Sequence, residues 1–385
     1  MFSAEFWTMG LCWTASLLAS YWQLFPIGIA GRCDVYPRSE TPRNFRTRLV
    51  CIVTGTTSGL GAAAAFALSK EGFCVVLVGL SSELLSKFLV GLVVWQAMED
   101  IREQNKDAHL KGFVVDLSSF RSILEFKSSL EKWLMDSDMH SSIQLLINNE
   151  GILATSARPT AEGYDQMMGT NYLGAFFLTK LLLPLLKTSP VGSRIVNVTS
   201  FTHRAGMNSC YPLVFGAQIN EDIVTGKCFF RSKEYPCARI YQYSKLCLLL
   251  FTYELHRQLN LDNKPGQVSV LSAHPGMVKT NIMQEVPFSL SSIAYLVFRV
   301  LGLLQSPENG INSILDAALA PSHVSGAYFF AGDGRTLRSY MLSYDTRLAE
   351  KLWNISCNLL LDLKLASQAT SSSSYCCTSP AEGPA

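Results

Sequence analysis

The stretch "ARIYQYSK", residues 238–245, brings two phenols and one ammonium close together: Tyr241, Tyr243 and Lys245. A phenol can deliver a proton to a carbonyl oxygen, or take one from an alcohol. With a pKa near 10 it does so poorly at neutral pH unless a neighbouring cation stabilises the phenolate. Lowering that pKa by ~3 units takes about 4 kcal/mol, since each unit is 1.36 kcal/mol. The ammonium must therefore lie beside the phenol. On a helix at about 100° per residue, Tyr241 and Lys245 are about 40° apart, whereas Tyr243 lies about 160° from Lys245. The spacing selects Tyr241 and sends Tyr243 to packing or a subunit contact. Taken alone, the pair also fits an incidental neighbour contact on a helix surface.

The elements around the pair decide between these. Short apolar runs at 48–55, 73–79, 111–117, 143–149, 194–200 and 267–276 read as buried strands, with a further one at 326–332. Helix-like segments at 62–72, 118–136, 162–187 and 241–260 lie between them. This alternation predicts an α/β fold, a doubly wound parallel sheet with helices on both faces. Ser200 then closes a strand at its C-terminal end, where ligands gather in such sheets. The first strand runs into "TGTTSGLG" (54–61) and a helix follows. Glycines in that position let the backbone approach a pyrophosphate, and the helix N-terminus supplies N–H donors and a positive dipole end.

The turn has G-x3-G-x-G spacing. With "NNEG" (148–151), "NYLGAF" (171–176), "RIVNVTS" (194–200), "YQYSK" (241–245) and "HPGMVKT" (274–280), it resembles the short-chain dehydrogenase/reductase family over about residues 48–345. In the long interval from Ser200 to Tyr241 and in "SRIVNVTS" it is similar to the branch that holds the retinol dehydrogenases, the WW-domain oxidoreductase and the X-linked dehydrogenase/reductase. The resemblance implies a Rossmann-type sheet and an oxidoreductase that interconverts an alcohol and its aldehyde or ketone with a nicotinamide cofactor. It implies catalytic roles for four residues. Tyr241 is the acid/base, Lys245 tunes it and holds the nicotinamide ribose, Ser200 binds the substrate oxygen, and Asn171 binds a water in a relay to Lys245.

For the cofactor, the resemblance implies contacts from Gly55, Thr57, Ser58, Gly59, Leu60 and Gly61 in the turn. Ser81 would follow the second strand, and Asp116 and Leu117 the third, with Asp116 at the adenine. Asn148, at the adenine ribose, Asn149 and Gly151 would follow the fourth. Pro275, Gly276, Val278 and Thr280 would follow the sixth, with Thr280 at the pyrophosphate or the nicotinamide amide. His274 reads as loop structure rather than a base. An acid at the end of the second strand usually selects NAD. The segment Val78-Gly79-Leu80-Ser81-Ser82 has none, which favours NADP(H) over NAD(H). Leu80 stands where the branch often has arginine, which leaves Ser81 or Ser82 to bind a phosphate.

Three features depart from the pattern. Glu150 stands where the family usually has alanine, adding bulk and a possible negative charge beside an anionic cofactor. "KFLVGLVVWQAMED" (87–100) is apolar enough to be a buried or membrane-touching insertion, and "GMNSCYPLVFGAQ" (206–218) lengthens the interval before Tyr241. They support an alternative, a catalytically weak or inactive NADP(H)-binding regulatory or scaffold protein of the same fold.

The chain has 385 residues, 48% hydrophobic and 16% charged, with a net charge of +2 and a mean hydropathy of +0.20. That balance gives no reason to expect nucleic acid. The eleven cysteines are scattered without a CxxC pair, and the six histidines show no HExxH spacing. We therefore expect a reduced intracellular chain with no metal site. Between Glu5 and Arg32 there is no charge, which predicts a membrane anchor over residues 1–31. A cleaved signal peptide is the rival reading, though it lacks a basic n-region. A basic linker, 32–47, places the 48–345 domain in the cytosol, on the endoplasmic reticulum or a chloroplast envelope. A long apolar region at 283–310 reads as a substrate lid or as a helix packed on its own core. Beyond 345 a C-terminal helix and a Ser-rich disordered tail are expected. An anchor and a greasy lid suit a lipid-soluble substrate (retinoid, sterol, polyprenoid or fatty aldehyde), with membrane lipid and a second copy of the chain as possible partners.

Overall fold

The computed structural model describes residues 4–24, 34–40, 48–79, 87–137, 141–207, 219–261 and 267–375. Strands β1 (Val50–Thr54), β2 (Cys74–Gly79), β3 (His109–Val114), β4 (Leu145–Asn148), β5 (Ser193–Val198), β6 (Val268–His274) and β9 (Tyr328–Phe330) form one sheet. Its order is β3-β2-β1-β4-β5-β6-β9 and every neighbouring pair is parallel. A small second sheet pairs β7 (Met277–Val278) with β8 (Leu304–Gln305). All seven expected strands are present.

The central strands are rich in apolar residues on both faces because each serves two cores. Val50 and Ile52 of β1 face one cluster, while Cys51 and Val53 face the other. This is the two-residue period of a strand buried on both sides. The first cluster is closed by α4 (Phe120–Asp136), α6 (Ala175–Lys187) and α8 (Cys237–Asn260), the second by α2 (Gly59–Lys70), α3 (Lys87–Gln104) and α11 (Asn312–Ala318). Strand order reverses between β1 and β4, so the crevice for a ligand opens beyond their C-terminal ends.

The expected helix over 162–187 is not uniform. It begins as α5 (Gln166–Met168), widens to a π-helical turn over Gly169–Gly174, and continues as α6. Asn171 lies in the wide turn. Such bulges recur at functional sites because they re-aim side chains. Asp165 caps this helix by accepting from the N–H groups of Met167 (3.0 Å) and Met168 (3.2 Å). It also accepts from the Tyr235 hydroxyl at 2.7 Å, just before α8 begins. One buried carboxylate thus joins the helix of Asn171 to the helix of Tyr241.

Two expectations are altered. The apolar stretch 87–100 is part of an ordinary crossover helix, α3, whose Val94 and Met98 pack against the glycines of β2 and β3. Gly79 and Gly112 leave the room for that close approach, while Leu92, Val93 and Trp95 remain exposed. The uncharged N-terminal run folds as α1 (Ala4–Trp22) and lies on the catalytic layer, burying Trp13, Ser16, Leu17 and Ser20. No described helix is long and apolar enough to cross a membrane. The remaining helices are α7 (Glu221–Val224), α9 (Phe288–Val300), α10 (Pro307–Gly310) and α12 (Thr346–Tyr375). Ser200 leads into a 3₁₀ turn, Phe201–Met207. Most of the expected enlarged loop, 208–218, lies outside the described residues.

Asp165→Ala removes a helix cap and leaves the half-buried Tyr235 hydroxyl without its acceptor. We expect a loss of about 2–4 kcal/mol in urea unfolding, with Asp165→Asn losing less than half of that. Equal losses for the two variants would show that the capping hydrogen bonds are not what matters.

Candidate active site

Tyr241 and Lys245 sit one turn apart on α8 and both are buried. The Lys245 ammonium lies 5.8 Å from the centre of the Tyr241 ring and donates to the Val198 carbonyl at 3.2 Å. That carbonyl ends β5, so the strand itself holds the lysine. Burial pulls Lys245 down to about 8. Burial also pushes the Tyr241 phenol up, and a hydrogen bond with Ser200 partly opposes this. Tyr243 faces away, as its spacing predicts, with its ring 6.1 Å from Phe229.

Asn171 reaches the same place from the π-helical turn. Its amide accepts from Ile152 N at 2.8 Å and donates to Ile152 O at 2.9 Å and to the Ser244 hydroxyl at 3.1 Å. Gly151 lies where these groups converge. A Cβ on it would stand 3.1 Å from Lys245 Nζ and 3.4 Å from Asn171 Oδ1. Ser200 follows β5 and its hydroxyl accepts from Thr202 N at 3.3 Å.

Behind Ser200 lies a pair of buried histidines. His203 donates from Nδ1 to the Ser200 carbonyl and accepts at Nε2 from Tyr340 N at 3.3 Å. Burial holds His203 down to about 3 and His274 well below its usual range, so both are neutral. His274 accepts from Gly276 N at 3.2 Å and so shapes the loop. The support from His203 was not read from the sequence, because nothing in "SFTHRAG" marks a histidine that braces a backbone carbonyl.

The crevice between β1 and β4 is tied by Thr54. Its hydroxyl accepts from Asn149 N and Glu150 N, each at 3.0 Å, and its carbonyl accepts from the Asn149 amide at 2.8 Å. Gly61 is pressed against this turn. A Cβ there would fall 2.0 Å from the Gly55 carbonyl and 2.7 Å from Asn149 Nδ2. Ser58 caps α2 in extended backbone with no side-chain bond to the first N–H groups, which leaves those donors facing the crevice. From across it, the Thr280 methyl approaches Gly59, and Asn281 Nδ2 donates to Ser58 Oγ at 3.4 Å. This bare, donor-rich turn fits a dinucleotide pyrophosphate.

The other cofactor expectations divide. Thr57, Leu60, Pro275, Gly276 and Val278 stand around the turn and the loop after β6. Asp116 heads a turn in which its Oδ1 accepts from Ser118 N (2.8 Å) and Ser118 Oγ (2.7 Å), and Leu117 is buried beside it. Asn148 is withdrawn from the crevice. It is buried, and its amide donates to Thr179 (2.9 Å) and Asn197 (2.7 Å). Leu80, Ser81 and Ser82 lie outside the described residues.

A largely apolar cavity of about 400 Å³ opens over Tyr241, Lys245 and Ser200. The expected lid supplies Met283, Val286, Val297 and Phe298 to its wall. Glu285 fastens the base of the lid by pairing with Arg158 and accepting from Thr155 N at 3.1 Å. The cavity has a further wall that sequence reading missed: Gly10, Trp13 and Thr14 of α1. No local motif marks it, since Trp13 is far from Tyr241 in the chain.

This fold, with a tyrosine, a lysine and a serine at the C-terminal edge of the sheet, defines a nucleotide-dependent oxidoreductase of the short-chain type. The short chain dehydrogenase family profile matches residues 49–212. Human polyprenol dehydrogenase is 30% identical over 326 residues, covering 82% of this chain and 87% of that protein. Human retinol dehydrogenase 13 is 29% identical over 317 residues, covering 80% and 83%. Among solved structures, an uncharacterized protein from Mycobacterium paratuberculosis aligns with a TM-score of 0.56 at 26% identity, covering 82% of this chain and 94% of that one. The chain belongs to the short-chain dehydrogenase/reductase family, in the retinol dehydrogenase branch, and is an oxidoreductase acting on CH–OH groups.

Glu150 is the site's local conflict. Part of the residue is exposed, yet both carboxylate oxygens are buried without a hydrogen-bond partner among the described residues. Burial, and then repulsion from Asp116, raise its pKa from 4.5 to about 8. A raised carboxyl pKa means that the folded state holds the proton while the unfolded chain loses it. Stability then falls as pH rises from 4.5 to about 8, at up to ~1.4 kcal/mol per unit. Glu150→Ala is therefore expected to gain stability over wild type progressively across that window, by several kcal/mol at pH 8 and by little near pH 4.5. Denaturant unfolding at both ends checks this, and a gain independent of pH would contradict it.

Proposed function

We propose that this chain is an NADP(H)-dependent oxidoreductase that interconverts a long-chain isoprenoid alcohol and its aldehyde, with a polyprenol or retinoid as the substrate class. The observation that carries the reading is the Ser200–Tyr241–Lys245 group on the floor of a cavity of about 400 Å³ with largely apolar walls. The relatives named polyprenol and retinol dehydrogenases support the substrate class. The absence of an acid in Val78-Gly79-Leu80-Ser81-Ser82 supports NADP(H) over NAD(H). Outward-facing Leu11 and Leu18 of α1, with Leu296 and Val300 of α9, support a membrane surface as the source of substrate. On that reading the catalytic domain faces the cytosol.

When bound, the nicotinamide supplies or takes up the hydride. In reduction, Tyr241 gives its proton to the substrate oxygen. In alcohol oxidation it takes the hydroxyl proton as phenolate. Lys245 offsets the negative charge on that phenolate, and the Ser200 hydroxyl orients the oxygen. Asn171 holds the Ile152 backbone and Ser244 beside Lys245, so the lysine keeps its place. The largely apolar walls of the cavity strengthen each of these electrostatic contacts.

A second reading, a nucleotide-binding protein with little or no turnover, draws on the orphaned Glu150 carboxyl beside the cofactor turn. The test is NADPH consumption by the purified full chain with farnesal and retinal, with NADPH affinity measured in parallel. Tyr241→Phe is expected to lower kcat by at least ~10²-fold while NADPH affinity stays within about threefold. A Phe variant that keeps its rate would remove Tyr241 from the chemistry. NADPH binding without turnover by wild type would favour the second reading.

A further inference from the structure

We infer that α1 is a working wall of the substrate site and that Trp13 on it is a specificity-determining residue that touches the substrate. The inference rests on the oxidoreductase reading of the same cavity and specifies what recognises the substrate there.

The sequence of α1 makes a two-faced helix from residues that carry almost no charge. Trp13, Leu17 and Ser20 recur at helical spacing and are buried. Leu11, Leu18 and Trp22 recur on the other side and are exposed. The inner face does not need water to satisfy its hydroxyls. Thr14, Ser16 and Ser20 each donate to the carbonyl four residues back, at 2.6, 2.8 and 2.9 Å. The helix can therefore lie on an apolar surface without leaving those hydroxyls unpaired.

Its place is fixed at two points. The Tyr21 hydroxyl accepts from Gln305 Nε2 at 3.2 Å, and the Tyr21 ring meets Phe330 edge-on at 5.0 Å. A Cβ on Gly276 would stand 3.3 Å from that hydroxyl, so the anchor point is the loop that follows β6. About two helix turns away, Trp13 lies against Tyr241, ring centres 5.5 Å apart and tilted by 41°.

Trp13 retains 8% of its surface and lines the cavity together with Tyr241 and Ser200. Its indole Nε1 is buried and has no hydrogen-bond partner among the described residues. The residue that packs against the reacting phenol thus carries a buried, unspent donor beside a largely apolar cavity. A bound substrate that presents its oxygen to Tyr241 and Ser200 brings an acceptor and a hydrocarbon chain into the same space. The ring supplies a flat apolar wall for that chain, and a small rotation of the indole on binding would bring its N–H to a ligand oxygen, which favours an oxygenated ligand over a plain hydrocarbon.

The two contributions separate by substitution. Trp13→Phe keeps a ring and loses the donor. Trp13→Ala loses both and opens the wall. With the full chain and NADPH, we expect KM for farnesal and retinal to rise roughly 3- to 10-fold in Trp13→Phe and by at least ~30-fold in Trp13→Ala. kcat should stay within about threefold and NADPH affinity should not change. A residue that merely held the fold would lower kcat and NADPH affinity as well, and would not give this graded order.

Binding gives a readout independent of turnover. Retinol fluorescence, titrated with each full-length variant in the presence of NADPH, should show the same order of weakened affinity. If wild type turns the aldehydes over and neither KM nor retinol affinity responds to Trp13→Ala, the inference is wrong and the function stands. If wild type binds retinol in a Trp13-dependent way without turning over any aldehyde, the function is wrong and the inference stands. Failure of wild type to bind retinol at all overturns the inference.

Discussion

The ammonium of Lys245 is buried in the layer between α8 and the sheet, held by the carbonyl that ends β5 at 3.2 Å, and much of the site follows from that placement. Lowering its pKa from 10.5 to about 8 corresponds to a cost of about 3 kcal/mol for keeping it charged. Two opposite charges at roughly the 5.8 Å that separates it from the Tyr241 ring attract by about 3 kcal/mol at an effective dielectric constant of ~20. The two quantities are of one size. A phenolate on Tyr241 would offset much of what burial takes from the lysine. The parallel sheet matters because it ends Val198 at this spot. The π-helical turn matters because it brings Asn171 beside it, and Gly151 because a side chain there would intrude.

The same sheet edge makes the cofactor crevice. Strand order reverses between β1 and β4, and Thr54 ties their ends through three hydrogen bonds. Glu150 then enters a place that the surrounding backbone has already closed. Its carboxyl finds no donor among the described residues, and burial favours its protonated form. Such a local conflict inside an otherwise consistent arrangement marks a functional or strained position.

The strands were legible in the sequence because a strand buried on both faces is predominantly apolar with no alternation, and β1 and β2 are. The partnership of Tyr241 with Lys245 was legible from helical periodicity alone. Motif position does not say which way β4 turns the Asn148 amide, which in the fold donates to Thr179 and Asn197. The stretch 87–100 misled because its apolar residues are distributed around α3, where Val94 packs on β2 and β3 while Leu92 and Trp95 do not. The wall formed by α1 was out of reach. Contact between Trp13 and Tyr241 depends on how the whole domain positions its N-terminus, and an uncharged helix reads equally as a lipid-facing segment.

The central claim is that Lys245 sets the acidity of Tyr241. The most direct measurement is the pH dependence of NADP-linked farnesol oxidation by the full chain and by Lys245→Met. Oxidation needs the phenolate, so kcat rises with pH through the tyrosine's pKa in the loaded enzyme. The account predicts that the midpoint of this rise lies lower in wild type than in Lys245→Met, by ~2 units or more, equivalent to about 3 kcal/mol. Coincident midpoints would contradict it.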